Sequence, residues 1–308
     1  MWTAITLWVV IGGGVAAYVA WAASSVAHGA AWLGFVLAAP LVYLAVALFF
    51  TVQWFALAWI FRSPRPQDVR LGLAATLRLV WTEFVAIAGS GFRMALYRWL
   101  VRDPAPAPAA LPVLLVHGVL CNAGVWSSVK RGLEARGIRP VYALSYGPPL
   151  ASNENFAEQL AAKVDAVLAA TGAPQLVLVG HSMGGLVIRA YLRKYGGARV
   201  RRAITIGSPH RGSVVARTFT GRCLAEIRPG SGWLAQLAAD ERTPPAVPLV
   251  SIWSWHDSMV APQRSSVLPW AEDVALAGIG HNAMLRDPVV LDRLVGEIAR
   301  AAAAPAAR

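Results

Sequence analysis

The first 61 residues contain no Asp, Glu, Lys or Arg, and apolar side chains dominate the stretch. As one helix it would run for ~90 Å, about three bilayer cores. A hairpin of two helices fits better, broken at Ser24-Ser25-Val26-Ala27-His28-Gly29. The first span is expected from about Trp2 to Ala23, the second from about Trp32 to Trp54 or beyond. Trp32, Trp54 and Trp59 suit the interfaces, and Gly12-Gly13-Gly14 would let the helices approach closely. Ala20-Trp21-Ala22 resembles a signal-peptide cleavage site, but there is no basic n-region and a second apolar span follows. Residues 1–61 are therefore read as a transmembrane hairpin.

The pattern changes after Phe61. Arg62, Arg65 and Arg70 follow the second span directly, and residues 71–101 are apolar but broken by Arg78, Glu83, Arg93 and Arg98. The segment 62–102 reads as basic, amphipathic and interfacial, one helix or two split at Gly89-Ser90-Gly91; a helix packed on the next domain is the other reading. Seven arginines against three acids between Arg62 and Asp103 place this flank, and with it the domain that follows, on the cytoplasmic side of a membrane, expected to be the bacterial inner membrane. The stretch 103-DPAPAPAALP-112 is a stiff Pro/Ala linker.

From there to residue 303 strands and helices alternate. Strands are expected at 111–116, 139–146, 175–179, 200–206, 249–253 and 274–277, and helices at 122–136, 152–170, 183–195 and 288–302. Continuous apolar runs such as 175-QLVLV-179 suit parallel strands covered on both faces. The expected fold class is α/β: a mostly parallel sheet of about six strands, preceded by transmembrane and amphipathic helices.

Composition narrows the partners. Apolar residues make up 56% of the chain and the formal net charge is +12, which favours anionic lipid at a membrane surface. Nucleic acid is set aside, since the chain lacks zinc-finger spacing, a helix-turn-helix signature and interleaved aromatic and basic residues. The run Arg189, Arg193, Lys194, Arg199, Arg201 and Arg202 reads first as a solvated face and second as a contact for headgroups. Cys121 and Cys223 are read as free thiols. No cofactor or metal site is expected: phosphate-loop and metal-ligand spacings are both missing.

The chemistry centres on 180-GHSMG-184, a G-x-S-x-G pattern between a strand and a helix. Such a turn holds its serine in strained dihedrals at the carboxyl edge of a sheet, beside a helix N-terminus. Ser182 is therefore the candidate nucleophile, and it needs a base and an orienting acid. With this turn the chain order is Ser, Asp or Glu, then His. Of six histidines, only His281, in the loop 278-GIGHNAML-285, follows a suitable acid. That acid is Asp257, just beyond the 249–253 strand; Glu272 and Asp273 are rivals set before a strand, toward the wrong edge. The oxyanion hole is assigned to the backbone amides of Val119 and Met183, with Leu120 as the alternative to Val119. Asn122 is expected to cap a helix and Trp126 to pack.

Together, His117-Gly118, the serine turn, 205-TIGSPHRGS-213, 228-RPGSGWLAQL-237 and 256-HDSMVAP-262 resemble bacterial lipases and esterases of the α/β-hydrolase superfamily, over about residues 111–300. The resemblance implies a Ser-Asp-His triad, hydrolysis of acyl or lipid esters through an acyl-enzyme, and a cap, here about 213–245, with Trp233 and Leu234 toward substrate. It covers neither the hairpin nor the first strands of larger hydrolases. The same machinery serves thioesterases and acyltransferases, and a membrane interaction protein with a retired hydrolase domain is the reading from another class. The sequence leaves the oligomeric state open.

Overall fold

The computed structural model describes residues 2–241 and 247–304. Helix α1 (Trp2–Ala27) and helix α2 (Trp32–Ile60) are joined by a short turn at His28–Gly29. Tyr18 Oη donates to Phe35 O at 2.6 Å, and Trp21 meets Phe35 edge to face, tying the two helices near that turn. A Cβ on Gly12, Gly13 or Gly14 would meet nothing within 4 Å, so this triplet does not make the expected close approach. Among the described residues two helices are long and apolar enough to cross a membrane: α2, of mean hydropathy 2.4, and α3 (Leu73–Ala95), of mean hydropathy 1.3.

Helix α3 runs unbroken through Gly89-Ser90-Gly91. Of the two readings, one helix or two, the structure has one, and its small residues serve packing. The Tyr43 hydroxyl of α2 donates to Ala88 O, and a Cβ at Gly91 would lie 3.4 Å from that hydroxyl. One face of α3 leaves Leu73, Leu77 and Trp81 exposed; the opposite face buries Leu79, Glu83 and Ala86. The short helix α4 (Tyr97–Leu100) ends this segment. Residues 103–112 then run without regular structure along the next domain, where Asp103 pairs with Lys163 and Ala109 N donates to Thr171 O.

The rest alternates as the apolar runs require. Strand β1 (Val113–Val116) leads through a 3-10 turn (Ala123–Trp126) to α5 (Ser127–Ala135) and β2 (Val141–Leu144). Helix α6 (Asn153–Thr171), β3 (Leu176–His181), α7 (Met183–Tyr195) and β4 (Val200–Ile206) follow. Helices α8 (Arg222–Glu226) and α9 (Gly232–Asp240) form the excursion before β5 (Leu249–Ser254), β6 (Glu272–Leu276) and α10 (Pro288–Ala303). The strands make one six-stranded sheet in the order β2-β1-β3-β4-β5-β6, every neighbouring pair parallel.

Side chains alternate across a strand, and here both faces are covered. Leu114, Val116, Leu176 and Leu178 pack under α6 and α7, whereas Val113, Leu115, Val177 and Val179 pack under α5 and α10. Each fully buried Val or Leu contributes about 1.5–3 kcal/mol, which is why these strands lack polar residues. Local signals fix the helix ends. Ser152 caps α6, which ends at left-handed Gly172, and Asp287 caps α10 ahead of Pro288. Because all six strands run the same way, their carboxyl ends gather the loops after β1, β3 and β5 at one edge.

The 213–245 excursion differs from a cap that faces substrate. Leu234 is buried in the core beside α7, and Trp233 Nε1 donates to Glu154 Oε1 on α6 at 2.7 Å. Both residues point into the domain, since α9 offers its apolar stripe to α7. Residues 242–245 of this expected cap lie outside the described residues.

Candidate active site

Ser182 sits between β3 and α7 with φ +56° and ψ −128°, half-buried. A positive φ on a residue with a Cβ is strained, and the surrounding packing enforces it. A Cβ on Gly180 would lie 2.7 Å from Gly184 C and from Gly185 N, and one on Gly184 would strike the Val116 carbonyl. The G-x-S-x-G spacing is therefore a steric requirement of this turn. Gly118, after β1, is held to glycine in the same way: its Cβ would be 2.9 Å from Ser182 Cβ.

The loop after β1 thus lies against the serine, and its carbonyls are committed elsewhere. Tyr146 Oη donates to His117 O at 2.5 Å. His117 Nε2 accepts from Tyr146 N at 3.3 Å, so its Nδ1 carries the proton and donates to Gly118 O at 2.8 Å. Burial pulls the His117 pKa down to about 4, which keeps this ring neutral. The N–H groups of Val119 and Met183 take no part in the turn and loop hydrogen bonds around them. Met183 is also the first residue of α7, where the helix dipole favours negative charge. Asn122 Oδ1 accepts from Gly124 N as a cap, and its Nδ2 reaches Met94 O on α3 at 2.9 Å. Trp126 is fully buried.

Asp257 and His281 meet although 24 residues apart: His281 Nδ1 lies 2.9 Å from Asp257 Oδ2, both side chains almost fully buried. Asp257 Oδ1 accepts from Met259 N and Val260 N, at 2.8 and 2.7 Å, which leaves Oδ2 for the imidazole. Burial pulls the His281 pKa down, but the Asp257 charge and hydrogen bond outweigh it and Glu83 adds to them, so it stands above the ordinary 6.5. Gly207, at the end of β4, leaves room for the pair: its Cβ would come 3.1 Å from Asp257 Oδ2 and 3.3 Å from His281 Nδ1.

His181, beside the serine, donates from Nε2 to His281 O at 3.2 Å, and the two rings lie 4.6 Å apart. The structure so brings Ser182, Asp257 and His281 to one edge. No hydrogen bond joins Ser182 Oγ to His281 among the described residues. The rival acids are elsewhere. Glu272 pairs with Arg202 and Arg300, and Asp273 accepts from Trp253 Nε1; both open β6, at the opposite edge.

Several site neighbours escape sequence reasoning. His256 Nδ1 accepts from Gly278 N at 3.0 Å, linking the acid loop to the histidine loop. Burial, aided by Arg65, pulls its pKa down to about 4, so it stays a neutral acceptor. Ser63, just after α2, is buried and donates through its N–H to Gln263 Oε1, while Gln263 Nε2 donates to Asp257 O at 3.1 Å. Glu83 of α3 is fully buried and accepts from the same two loops. A lone acid in a helix of mean hydropathy 1.3 was the available signal for Glu83; the others carry none.

A cavity of about 700 Å³ opens beside the acid, walled by Phe55, Trp59, Leu79, Arg65, His256 and Asp257 among others. Ser182 is not in its walls. Arg62 and Arg70 also line it, and none of these three arginines pairs with a carboxylate among the described residues. The later basic run is different: Arg189 binds Glu241, Arg193 binds Glu154, Lys194 binds Glu158, Arg199 binds Asp165 and Arg202 binds Glu297. Arg201 donates to backbone carbonyls of Ala301 and Ala304, and the rest of the run is spent on internal pairs. Cys121 and Cys223 are free thiols.

Comparison with known proteins agrees with this architecture. Residues 112–222 match the family profile of the alpha/beta hydrolase fold. A triacylglycerol lipase of Burkholderia plantarii is 36% identical over 138 residues, 42% of this chain and 38% of the lipase. Another, of Pseudarthrobacter phenanthrenivorans, is 38% identical over 117 residues, 36% of each chain. The chain therefore spans under two fifths of the length of these curated relatives. Among solved structures, a mature Bacillus licheniformis lipase superimposes with a TM-score of 0.56 at 16% identity, covering 64% of this chain and 96% of that one. Aspergillus fumigatus lipase B gives 0.55 at 18% identity, covering 65% and 56%. This chain has the alpha/beta hydrolase fold, and over part of its length it is similar to bacterial triacylglycerol lipases.

Proposed function

We propose that the chain is a membrane-anchored serine hydrolase that cleaves carboxylic esters of acyl or lipid substrates through an acyl-enzyme. The observation that carries this reading is the strained Ser182 turn beside the buried Asp257–His281 pair. Ser182 Oγ attacks the acyl carbonyl while His281 Nε2 takes its proton. Asp257 holds Nδ1 and stabilises the imidazolium. The carbonyl oxygen gains charge against the N–H groups of Val119 and Met183. The intermediate collapses, the ester C–O bond breaks, and His281 returns the proton to the leaving alcohol. Water then attacks the acyl-enzyme with His281 as base, and the acid leaves as Ser182 is restored.

The similarity to triacylglycerol lipases supports an ester substrate. The cavity supports a lipid nearby: its walls are mostly apolar, three arginines without a carboxylate partner among the described residues line it, and it lies where α2 ends. In this reading 1–61 is a transmembrane hairpin and 113–303 the catalytic domain, held on the cytoplasmic side against anionic headgroups by Arg62, Arg65 and Arg70. Residues 62–102 lie between them and pack on both.

The test is a series of p-nitrophenyl esters of rising chain length, assayed on full-length protein with and without lipid vesicles. Turnover that rises with chain length and with vesicles agrees with a lipid-directed esterase. Lack of turnover on every ester, with thioesters cleaved, would reassign the leaving group.

A further inference from the structure

Glu83 is fully buried in the middle of α3, yet it has no basic partner among the described residues. Four donors hold its carboxylate. Oε1 accepts from Ser258 Oγ at 2.9 Å, Asn282 N at 3.0 Å and Asn282 Nδ2 at 2.9 Å; Oε2 accepts from Ala283 N at 2.9 Å. Ser258 follows Asp257 in the chain, and Asn282 and Ala283 follow His281. One carboxylate thus clamps the acid loop and the base loop from a helix outside the sheet. Gly280 completes the fit: a Cβ there would sit 2.9 Å from Glu83 Cδ and nearer still to Oε2. The glycine just before His281 gives the carboxylate its room.

Both Glu83 oxygens face backbone N–H donors, so the clamp needs a group that only accepts, and an amide cannot replace the carboxylate without setting its own N–H against one of them. The same carboxylate brings a negative charge to the loops that carry Asp257 and His281, where the proposed reaction forms an imidazolium. We propose that Glu83 is a positioning residue of the catalytic centre, which fixes the Asp257 and His281 loops in register and adds a second, remote anion behind the imidazolium. This rests on the reading of Ser182, Asp257 and His281 as the triad.

Two further contacts make α3 a backing plate for the whole site. Asn122, at the end of the candidate oxyanion loop, donates to Met94 O near the helix end, and a Cβ on Gly124 would strike Arg93 O. The loops after β1, after β5 and before α10 thus all touch one helix. That helix precedes the stretch 112–222 that matches the hydrolase family, and the acid and base loops it holds follow that stretch. The groups facing His281 are Asp257, Glu83 and the neutral His181 ring.

The experiment compares full-length wild type, Glu83→Gln, Glu83→Asp and Ser182→Ala in the same detergent, reading kcat, KM and the pH dependence of kcat/KM. Glu83→Gln sets an amide N–H against backbone donors and removes the charge. It is expected to lower kcat by about a hundred-fold, as for a catalytic group displaced by about 1 Å, with KM changed by less than about three-fold. The acid limb of kcat/KM should move to lower pH, because one anion that raises the His281 pKa is lost. Glu83→Asp keeps the charge but shortens the reach. It should lose at least about ten-fold in kcat and leave the acid limb in place. A folded Glu83→Gln with wild-type kcat and pH profile overturns the proposal; if that variant does not fold, a wild-type kcat in Glu83→Asp overturns it instead. Activity surviving in Ser182→Ala would overturn the triad itself, so the two failures are distinguishable.

Discussion

Asp257→Asn tests the acid with a change of one atom. The structure dictates how the amide sits. The Oδ1 position faces two N–H donors, Met259 and Val260, so the amide oxygen must occupy it. The amide nitrogen then takes the Oδ2 position and donates to His281 Nδ1, which forces the ring proton onto Nε2. That tautomer cannot accept the Ser182 proton. The imidazolium of the transition state also loses its anion. At an effective dielectric of about 20 and a charge separation of about 4 Å, that loss is about 4 kcal/mol, or about three decades of rate. The tautomer penalty adds about one more, so kcat should fall about 10⁴-fold. Folding should hold, because both backbone donors keep their acceptor. The assay is kcat on a short p-nitrophenyl ester beside thermal unfolding. A folded Asp257→Asn within ten-fold of wild type, with activity lost instead in Glu272→Gln or Asp273→Asn, would refute the assignment.

Three other outcomes are expected. Since His281 must be neutral to act as base and its pKa stands above the ordinary 6.5, kcat/KM should fall as pH drops through a value above 6.5; an acid limb below 6 would contradict the Asp257 and Glu83 contributions. Replacing Arg62, Arg65 and Arg70 together by Gln should weaken association of the detergent-solubilised protein with anionic over neutral nanodiscs by about a hundred-fold, at about 1 kcal/mol per charge, and equal binding of wild type to both would remove anionic lipid as a partner. A fluorescent-protein fusion after Arg308 should glow and an alkaline phosphatase fusion there should be inactive; the reverse pattern would put the active site outside the cytoplasm.

The edge that carries the candidate site was legible in the sequence because local constraints write much of it. The buried runs of β1, β3 and β5 leave little choice but parallel strands, and the G-x-S-x-G spacing marks a strand-to-helix turn whose Gly180 is demanded by backbone four and five residues on and whose Gly184 by the Val116 carbonyl of the neighbouring strand. Asp257 and His281 could be ordered along the chain because both follow strand ends, and the structure brings them together. The role of α3 was not legible. Glu83 reads along the chain as a break in an apolar run, and its partners lie 175 to 200 residues away. A long-range clamp leaves only a lone charge in an apolar helix as its trace. Gly12-Gly13-Gly14 misled for the converse reason: small residues permit a close approach without requiring one, and here Tyr18, Trp21 and Phe35 join the two helices instead. Arg189, Arg193, Arg199 and Arg202 look like a basic patch in one dimension because their carboxylate partners come from α6, the end of α9, β6 and α10.

The central claim is that Ser182 is an activated nucleophile. It is tested most directly by labelling full-length protein with a fluorophosphonate probe and locating the adduct by peptide mass spectrometry. The account predicts one adduct, on Ser182, that is abolished in Ser182→Ala and slowed in His281→Ala. A folded protein that takes no label, or that labels equally well in Ser182→Ala, would contradict it.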